Sequence, residues 1–169
     1  MIPMTLTQIN AHDRREFVEA LGWIFEASPW VAERAWEMRP FAALDALYAA
    51  MVSVVSSATK DEQLTLLRAH PDLGARAAMS DASTREQEGA GLDTLTAAEM
   101  ARLQALNGAY RARFGFPFLY AVRGSTKDDI LDALERRLAS TPEAEHEEAL
   151  QQVFRIARFR LEETIGERS

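Results

Sequence analysis

The chain has 169 residues, no cysteine and a net charge of −7 at pH 7, with a pI near 5.0. That length suits one domain, residues 1–169, with a sizeable buried core. The absence of cysteine excludes a disulfide framework, a thiolate zinc site and a cysteine nucleophile. The acidic balance argues against nucleic acid as a partner.

No apolar run approaches the length of a membrane span, so no membrane partner is expected. No basic region followed by an apolar stretch marks a signal peptide. The terminal Glu167-Arg168-Ser169 is not a peroxisomal tripeptide. The expected location is the cytoplasm.

The pattern is helical almost throughout. Residues 14–25 carry Phe17, Leu21, Ile24 and Phe25 at helical spacing. Ser28 and Pro29 are placed to open the next helix as N-cap and N1, which runs to about Met38 and stops at Arg39-Pro40. Residues 41–56 are rich in Ala, Leu, Met and Val and read as a largely buried helix. Thr59-x-x-Glu62 is a capping box for a helix reaching about His70. Residues 79–91 form the expected loop, with a short helix inside it. Thr96-x-x-Glu99 caps a helix to about Arg113, which Gly115 ends and Pro117 prevents from continuing. Residues 118–122 are a short apolar run without helical continuity. Ser125-x-x-Asp128 opens a helix to about Ala139, and Thr141-Pro142 opens the longest, residues 143–165. No strands alternate with these helices, so the expected class is all-α, a single-domain multi-helix bundle.

His70-Pro71-Asp72-Leu73-Gly74 stands out in this pattern. A residue before proline is pushed out of the α region, so the helix must end near His70. The negative end of the helix dipole favours His⁺ there, and an imidazole can exchange a proton near neutral pH. The same residues also read as a helix-stop histidine followed by a turn. Ser83-Thr84-Arg85-Glu86-Gln87 comes next and runs into Gly89-Ala90-Gly91-Leu92. Ser83 and Glu86 have capping-box spacing, while the N–H groups of a helix start can alternatively bind an anion. His12 and His146 share no metal-ligand spacing with His70, and no phosphate loop or dinucleotide fingerprint is present. Neither a metal nor an organic cofactor is expected.

The last helix adds a separate clue. At about 100° per residue, Ala149, Leu150, Val153, Phe154, Ile156, Ala157, Leu161 and Ile165 fill one apolar arc. Arg160 falls inside that arc. An arginine on a core face needs a protein carboxylate or an anionic ligand, unless it snorkels to the surface.

The ordered set of HPDLG, S-x-x-E-Q-x-x-A-G-L and Phe114-Gly115-Phe116-Pro117-Phe118 resembles the 2-oxo-4-hydroxy-4-carboxy-5-ureidoimidazoline (OHCU) decarboxylase family. Glu16-Phe17-Val18, Trp36-x-x-Arg39-Pro40-Phe41, Leu106-Asn107-x-x-Tyr110-Arg111-x-Arg113 and Arg160-Leu161 fit the same order, so the resemblance covers nearly the whole chain.

The resemblance implies an all-α carboxy-lyase that converts OHCU to (S)-allantoin without a cofactor, and a homodimer. It implies catalytic roles for His70, Glu86 and Arg160. It places substrate contacts at Pro71, Ser83, Thr84, Arg85, Glu86, Gln87, Phe118, Leu119, Tyr120, Ala121, Val122 and Arg160. Irregular backbone at residues 118–122 leaves N–H and C=O groups that a helix would consume, which suits a flat, urea-like heterocycle; a buried apolar connector is the alternative. Trp23, Trp30, Trp36 and Phe159 are candidate interface aromatics, with burial in the monomer's own core the equal alternative for the tryptophans. Two departures from the family pattern are a short segment between Gly74 and Ser83, and Ala139-Ser140 where an asparagine is frequent. The rival functions are a hydrolase of a related ureide and a non-catalytic helical interaction module.

Overall fold

The computed structural model describes residues 4–74 and 80–165. Residues 75–79 of the short segment and the terminal Glu167-Arg168-Ser169 lie outside the described residues, as does Met79 of the expected loop. Among the described residues there are nine helices and no strand, with one isolated parallel bridge joining Met4 to Ile165. They are α1 (Leu6–Ala11), α2 (Arg14–Leu21), α3 (Trp30–Trp36), α4 (Leu44–Ser56), α5 (Lys60–Arg68), α6 (Asp81–Gly89), α7 (Ala97–Phe114), α8 (Lys127–Arg137) and α9 (Pro142–Thr164). The chain is all-α, as expected.

The helices fall into two compact units: Met1–Ala69 with Phe154–Ser169, and His70–Val153. The first holds α1–α5 and the second half of α9. The second holds α6–α8 and the first half of α9.

In the first unit α3 packs against both α2 and α4. Phe17, Leu21, Val31, Leu47 and Met51 are core residues here. Capping boxes start α1 (Thr5 with Gln8), α2 (Asp13 with Glu16) and α5 (Thr59 with Glu62). In each, the cap oxygen and the N3 side chain satisfy two backbone donors that a helix start leaves open. The Trp36…Arg39-Pro40-Phe41 motif ties the N-terminal segment down. Arg39 lies over the Trp36 ring, 4.2 Å from its centroid, and donates to the carbonyls of Trp36, Asn10 and His12. The Asn10 amide bonds both the N–H and the C=O of Phe41.

Three expected boundaries move in this unit. Ser28 does not cap α3: its hydroxyl donates to the Glu26 carbonyl at 2.8 Å, and the cap position is Pro29. α4 begins at Leu44, three residues later than expected. α2 stops at Leu21 and not at Phe25. That early stop leaves the Trp23 and Ile24 carbonyls outside a helix, where they accept from Arg160. Ile24 and Phe25 are still buried, so the helical spacing reported their burial and not their backbone.

In the second unit α7 packs on α8, around Leu103, Tyr110, Phe118, Ile130 and Leu134. α7 starts at the Thr96–Glu99 capping box and ends at Gly115, whose φ of 81° is left-handed, as the sequence indicated. α8 opens one residue later than expected, on Thr126 with Asp129 and not on Ser125 with Asp128. The Thr141 hydroxyl accepts from the Ala144 N–H at the start of α9.

Candidate active site

α5 ends at Arg68 with Ala69 as its C-cap, so His70 follows directly on a helix C-terminus and before Pro71. His70 is only 6% exposed. The HPDLG turn that carries it is fastened by three side chains. Arg111 donates to Asp72 at 2.9 Å, Asn107 to the Leu73 carbonyl at 3.0 Å, and Gln87 Oε1 accepts from the Gly74 N–H at 2.8 Å. Gly74 has φ 78°, and a Cβ there would stand 2.7 Å from Leu103 Cδ2. Glycine is required at this position by conformation and by space. Leu103, Asn107 and Arg111 are four residues apart along α7 and share one face. The turn is therefore docked on a helix, and the Asn107…Arg111 spacing in the sequence is that dock.

Most of the expected loop over residues 79–91 is α6. Its N-cap is Ser80, which accepts from the Ser83 N–H at 3.1 Å. Ser83 is therefore inside the first turn, and the Ser83–Glu86 capping box is not used. Ser83 and Gln87 are buried, Thr84 and Glu86 half-buried, and Arg85 exposed. Ala90-Gly91-Leu92 is the helix stop: Gly91 has φ 82°, and the Leu92 N–H bonds back to the Gln87 carbonyl at 3.0 Å. The Gln87–Gly74 bond joins α6 to the HPDLG turn, so the two leading sequence motifs meet in space.

Residues 118–122 are irregular, as expected. Phe118, Leu119, Ala121 and Val122 are buried and Tyr120 is half-buried. Among the described residues, the hydrogen bonds to this run's backbone are three. Arg137 Nη1 donates to the Leu119 carbonyl at 2.7 Å, Gln152 Oε1 accepts from the Ala121 N–H at 2.8 Å, and the Ser125 N–H donates to the Val122 carbonyl. Beneath the run lies a buried polar cluster that the sequence analysis missed. Arg137 Nε pairs with Glu145 at 2.8 Å, and the Tyr110 hydroxyl donates to the same carboxylate at 2.5 Å. The Arg137 guanidinium also sits 4.6 Å from the Phe118 ring centroid. Burial, then the bond to Glu145, pushes the Tyr110 phenol well above its ordinary value. The only sequence signal for this cluster was two charges on apolar helix faces, Arg137 on α8 and Glu145 on α9.

Arg160 belongs to the first unit. It is 1% exposed, so it does not snorkel. Its Nη2 meets Glu26 Oε1 at 3.1 Å, its Nη1 reaches the Trp23 carbonyl at 3.1 Å, and its guanidinium lies 5.6 Å from the Trp23 ring centroid. The carboxylate demanded by its place in the apolar arc is Glu26, itself 6% exposed. Glu26 was not singled out from the sequence. Its charge stands beside Phe25 in a segment that reads as ordinary helix. Among the described residues, no group of three or more His, Cys, Asp or Glu side chains could hold a metal ion.

Residues 10–162 match the family model described as OHCU decarboxylase. A 2-oxo-4-hydroxy-4-carboxy-5-ureidoimidazoline decarboxylase from Haloferax volcanii is 48% identical over 98% of this chain and 99% of its own length. The chain belongs to the OHCU decarboxylase family. Its fold matches a solved (S)-allantoin synthase with a TM-score of 0.80 at 38% identity, over 96% of this chain and 54% of that one. A structure of OHCU decarboxylase in the presence of (S)-allantoin shares the fold, with a TM-score of 0.71 at 20% identity, over 92% of this chain and all of that one. The motifs that carry membership in the OHCU decarboxylase family are therefore partly docking devices. Asn107, Arg111 and Gln87 hold HPDLG in place, and the A-G-L stop closes the helix that carries Gln87.

Proposed function

We propose that this protein decarboxylates OHCU to (S)-allantoin in urate breakdown, without a metal or organic cofactor. The observation that carries the reading is the Gln87–Gly74 bond. It holds the turn bearing a buried histidine against the helix bearing Ser83, Glu86 and Gln87, within a chain of this family. Loss of CO₂ leaves an electron pair on a carbon beside a nitrogen-rich unsaturated ring, which delocalises it. The protein's tasks are to orient the carboxylate, stabilise developing charge and deliver a proton to one face.

In this reading His70 is the acid/base, fixed by its docked turn. Glu86 holds donor groups of the substrate or orients His70. Ser83, Pro71, Thr84 and Arg85 supply further substrate contacts in this reading. The Gln87 amide N–H₂ binds a substrate oxygen while its carbonyl holds Gly74. Residues 118–122 supply backbone contacts. Arg160, its fork aligned by Glu26, binds a carbonyl or carboxylate oxygen.

The test is to add the protein to freshly generated OHCU and follow allantoin by circular dichroism. Uncatalysed decay gives racemic product, so catalysis gives a sustained single-handed signal together with CO₂. Racemic allantoin, silent in circular dichroism and formed at the uncatalysed rate, refutes the reading, and product formed without CO₂ points to a ureide hydrolase.

A cytoplasmic location and a homodimer complete the proposal. Among the described residues no helix is long and apolar enough to cross a membrane. The dimer rests on the family resemblance and on the frequency of twofold pairs, and less on the tryptophans. Trp30 and Trp36 are half-buried under Arg34, Arg14 and Arg39 of the same chain. Light scattering across a dilution series should give twice 18.9 kDa; a monomer mass at micromolar concentration refutes the dimer.

A further inference from the structure

Two buried side chains grip the run at residues 118–122, and both grip it around Tyr120. Arg137, 7% exposed, holds the Leu119 carbonyl, and Gln152, 5% exposed, holds the Ala121 N–H. Among the described residues the only cis peptide is Arg39-Pro40, so the peptides on either side of Tyr120 are trans. In a planar trans peptide the C=O and N–H point in opposite directions. Holding the Leu119 carbonyl therefore aims the Tyr120 N–H away from Arg137. Holding the Ala121 N–H aims the Tyr120 carbonyl away from Gln152. Neither Tyr120 backbone group has a hydrogen bond among the described residues.

Each clamp is itself braced. Arg137 is fixed by Glu145, which also takes the Tyr110 hydroxyl. The Gln152 amide N–H₂ donates to Glu148 at 3.0 Å, so its oxygen must face Ala121. Two polar side chains committed to one three-residue stretch of backbone are more than a buried connector needs. A donor and an acceptor on one residue match the adjacent N–H and C=O of a cyclic amide or ureide.

We infer that Arg137 and Gln152 are positioning residues that hold the Tyr120 N–H and C=O as a paired edge for the amide edge of the substrate ring. The inference rests on the proposed OHCU reaction and adds the residues that set how the ring is read.

Wild-type protein is first assayed on freshly generated OHCU, and no turnover there counts against the proposed reaction and not against the clamps. (S)-Allantoin and its ring-N-methylated analogues are then titrated as competitive inhibitors of wild type, Gln152→Leu, Gln152→Glu/Glu148→Gln and Arg137→Lys. Wild type should favour the unmethylated ring by roughly tenfold, the scale of one or two lost hydrogen bonds. Gln152→Leu removes the acceptor. Arg137→Lys keeps a cation for Glu145 but lacks the fork that also reaches Leu119. Both should bring the ratio to within about twofold of unity, with KM raised more than kcat is lowered. Gln152→Glu, made together with Glu148→Gln so that an amide still faces a carboxylate there, retains an acceptor and should retain the preference. Loss of packing alone would weaken all inhibitors equally and leave the ratio unchanged. That result, or a wild type indifferent to methylation, overturns the inference and leaves the decarboxylase reading standing. Should Gln152→Leu fail to fold, Arg137→Lys against Gln152→Glu/Glu148→Gln decides by the same ratio.

Discussion

Replacing Arg137 by methionine should destabilise the protein far more than replacing Arg137 and Glu145 together. The Glu145 carboxylate is 2% exposed, and it accepts from Arg137 Nε at 2.8 Å and from the Tyr110 hydroxyl at 2.5 Å. Arg137→Met strands that charge with one neutral donor. Breaking a buried pair from one side costs about 3–5 kcal/mol, against a total stability of roughly 5–15 kcal/mol for a typical protein. With a urea slope of about 2 kcal/mol per molar, the midpoint should fall by about 2 M. Glu145→Gln alone strands the guanidinium and should cost a similar amount. The double variant Arg137→Met/Glu145→Gln buries no charge, and the Tyr110 hydroxyl still has an acceptor. Its remaining losses are the bond to the Leu119 carbonyl and the contact with the Phe118 ring, about 1–2 kcal/mol. The coupling between the two sites should then exceed about 3 kcal/mol. Equilibrium urea unfolding of the four proteins measures it. Single effects that simply add, within about 0.5 kcal/mol, would refute the claim that the two charges exist for each other.

The remaining expectations concern the turn and the surface. His70→Asn should lower turnover of OHCU by roughly 10²–10⁴-fold while urea unfolding stays cooperative; near wild-type turnover would remove His70 from proton transfer. Gly74→Ala meets both a φ of 78° and a contact of 2.7 Å with Leu103, so it should cost about 1–3 kcal/mol and reduce kcat along with stability; a neutral variant would show that the turn tolerates a side chain. Glu62 is held at about 2, below the ordinary 4.5, by Arg34 and then by the Thr59 N–H, and Glu99 likewise by Lys127 and then Thr96. A carboxylate depressed in the folded state adds stability that is present above pH 4.5 and is lost as pH falls toward 2. The Tm should therefore drop across that window, and less steeply in Glu62→Gln/Glu99→Gln; parallel curves would exclude these two groups.

Local signals in this chain were legible because they act within a few residues. The Thr59–Glu62 and Thr96–Glu99 boxes, the stop at Gly115 and the helix end before His70-Pro71 all follow from backbone sterics and nearby hydrogen bonds. α1 carried the same kind of signal in Thr5-x-x-Gln8, but six residues are too few to show a helical period. Arg160 was legible as a buried cation because one helix face defines its environment. Its partner Glu26 was not, since 134 residues separate the two and no local rule connects them.

Tertiary structure decided between readings that local rules left equal. Ser80, Ser83, Ser125 and Thr126 are all competent caps. The fold selects Ser80 and Thr126. α2 ends at Leu21 in spite of helical spacing through Phe25, since the Trp23 and Ile24 carbonyls are needed by a guanidinium on α9. The sequence by itself determined the helical class, the family and the residues of interest, because periodicity, caps and ordered motifs are written along the chain. Which peptide group each buried side chain serves, Gln87 at Gly74, Asn107 at Leu73, Arg137 at Leu119 and Gln152 at Ala121, was decided in three dimensions. A buried donor or acceptor must find a partner wherever folding places one, and that place has no fixed distance in sequence.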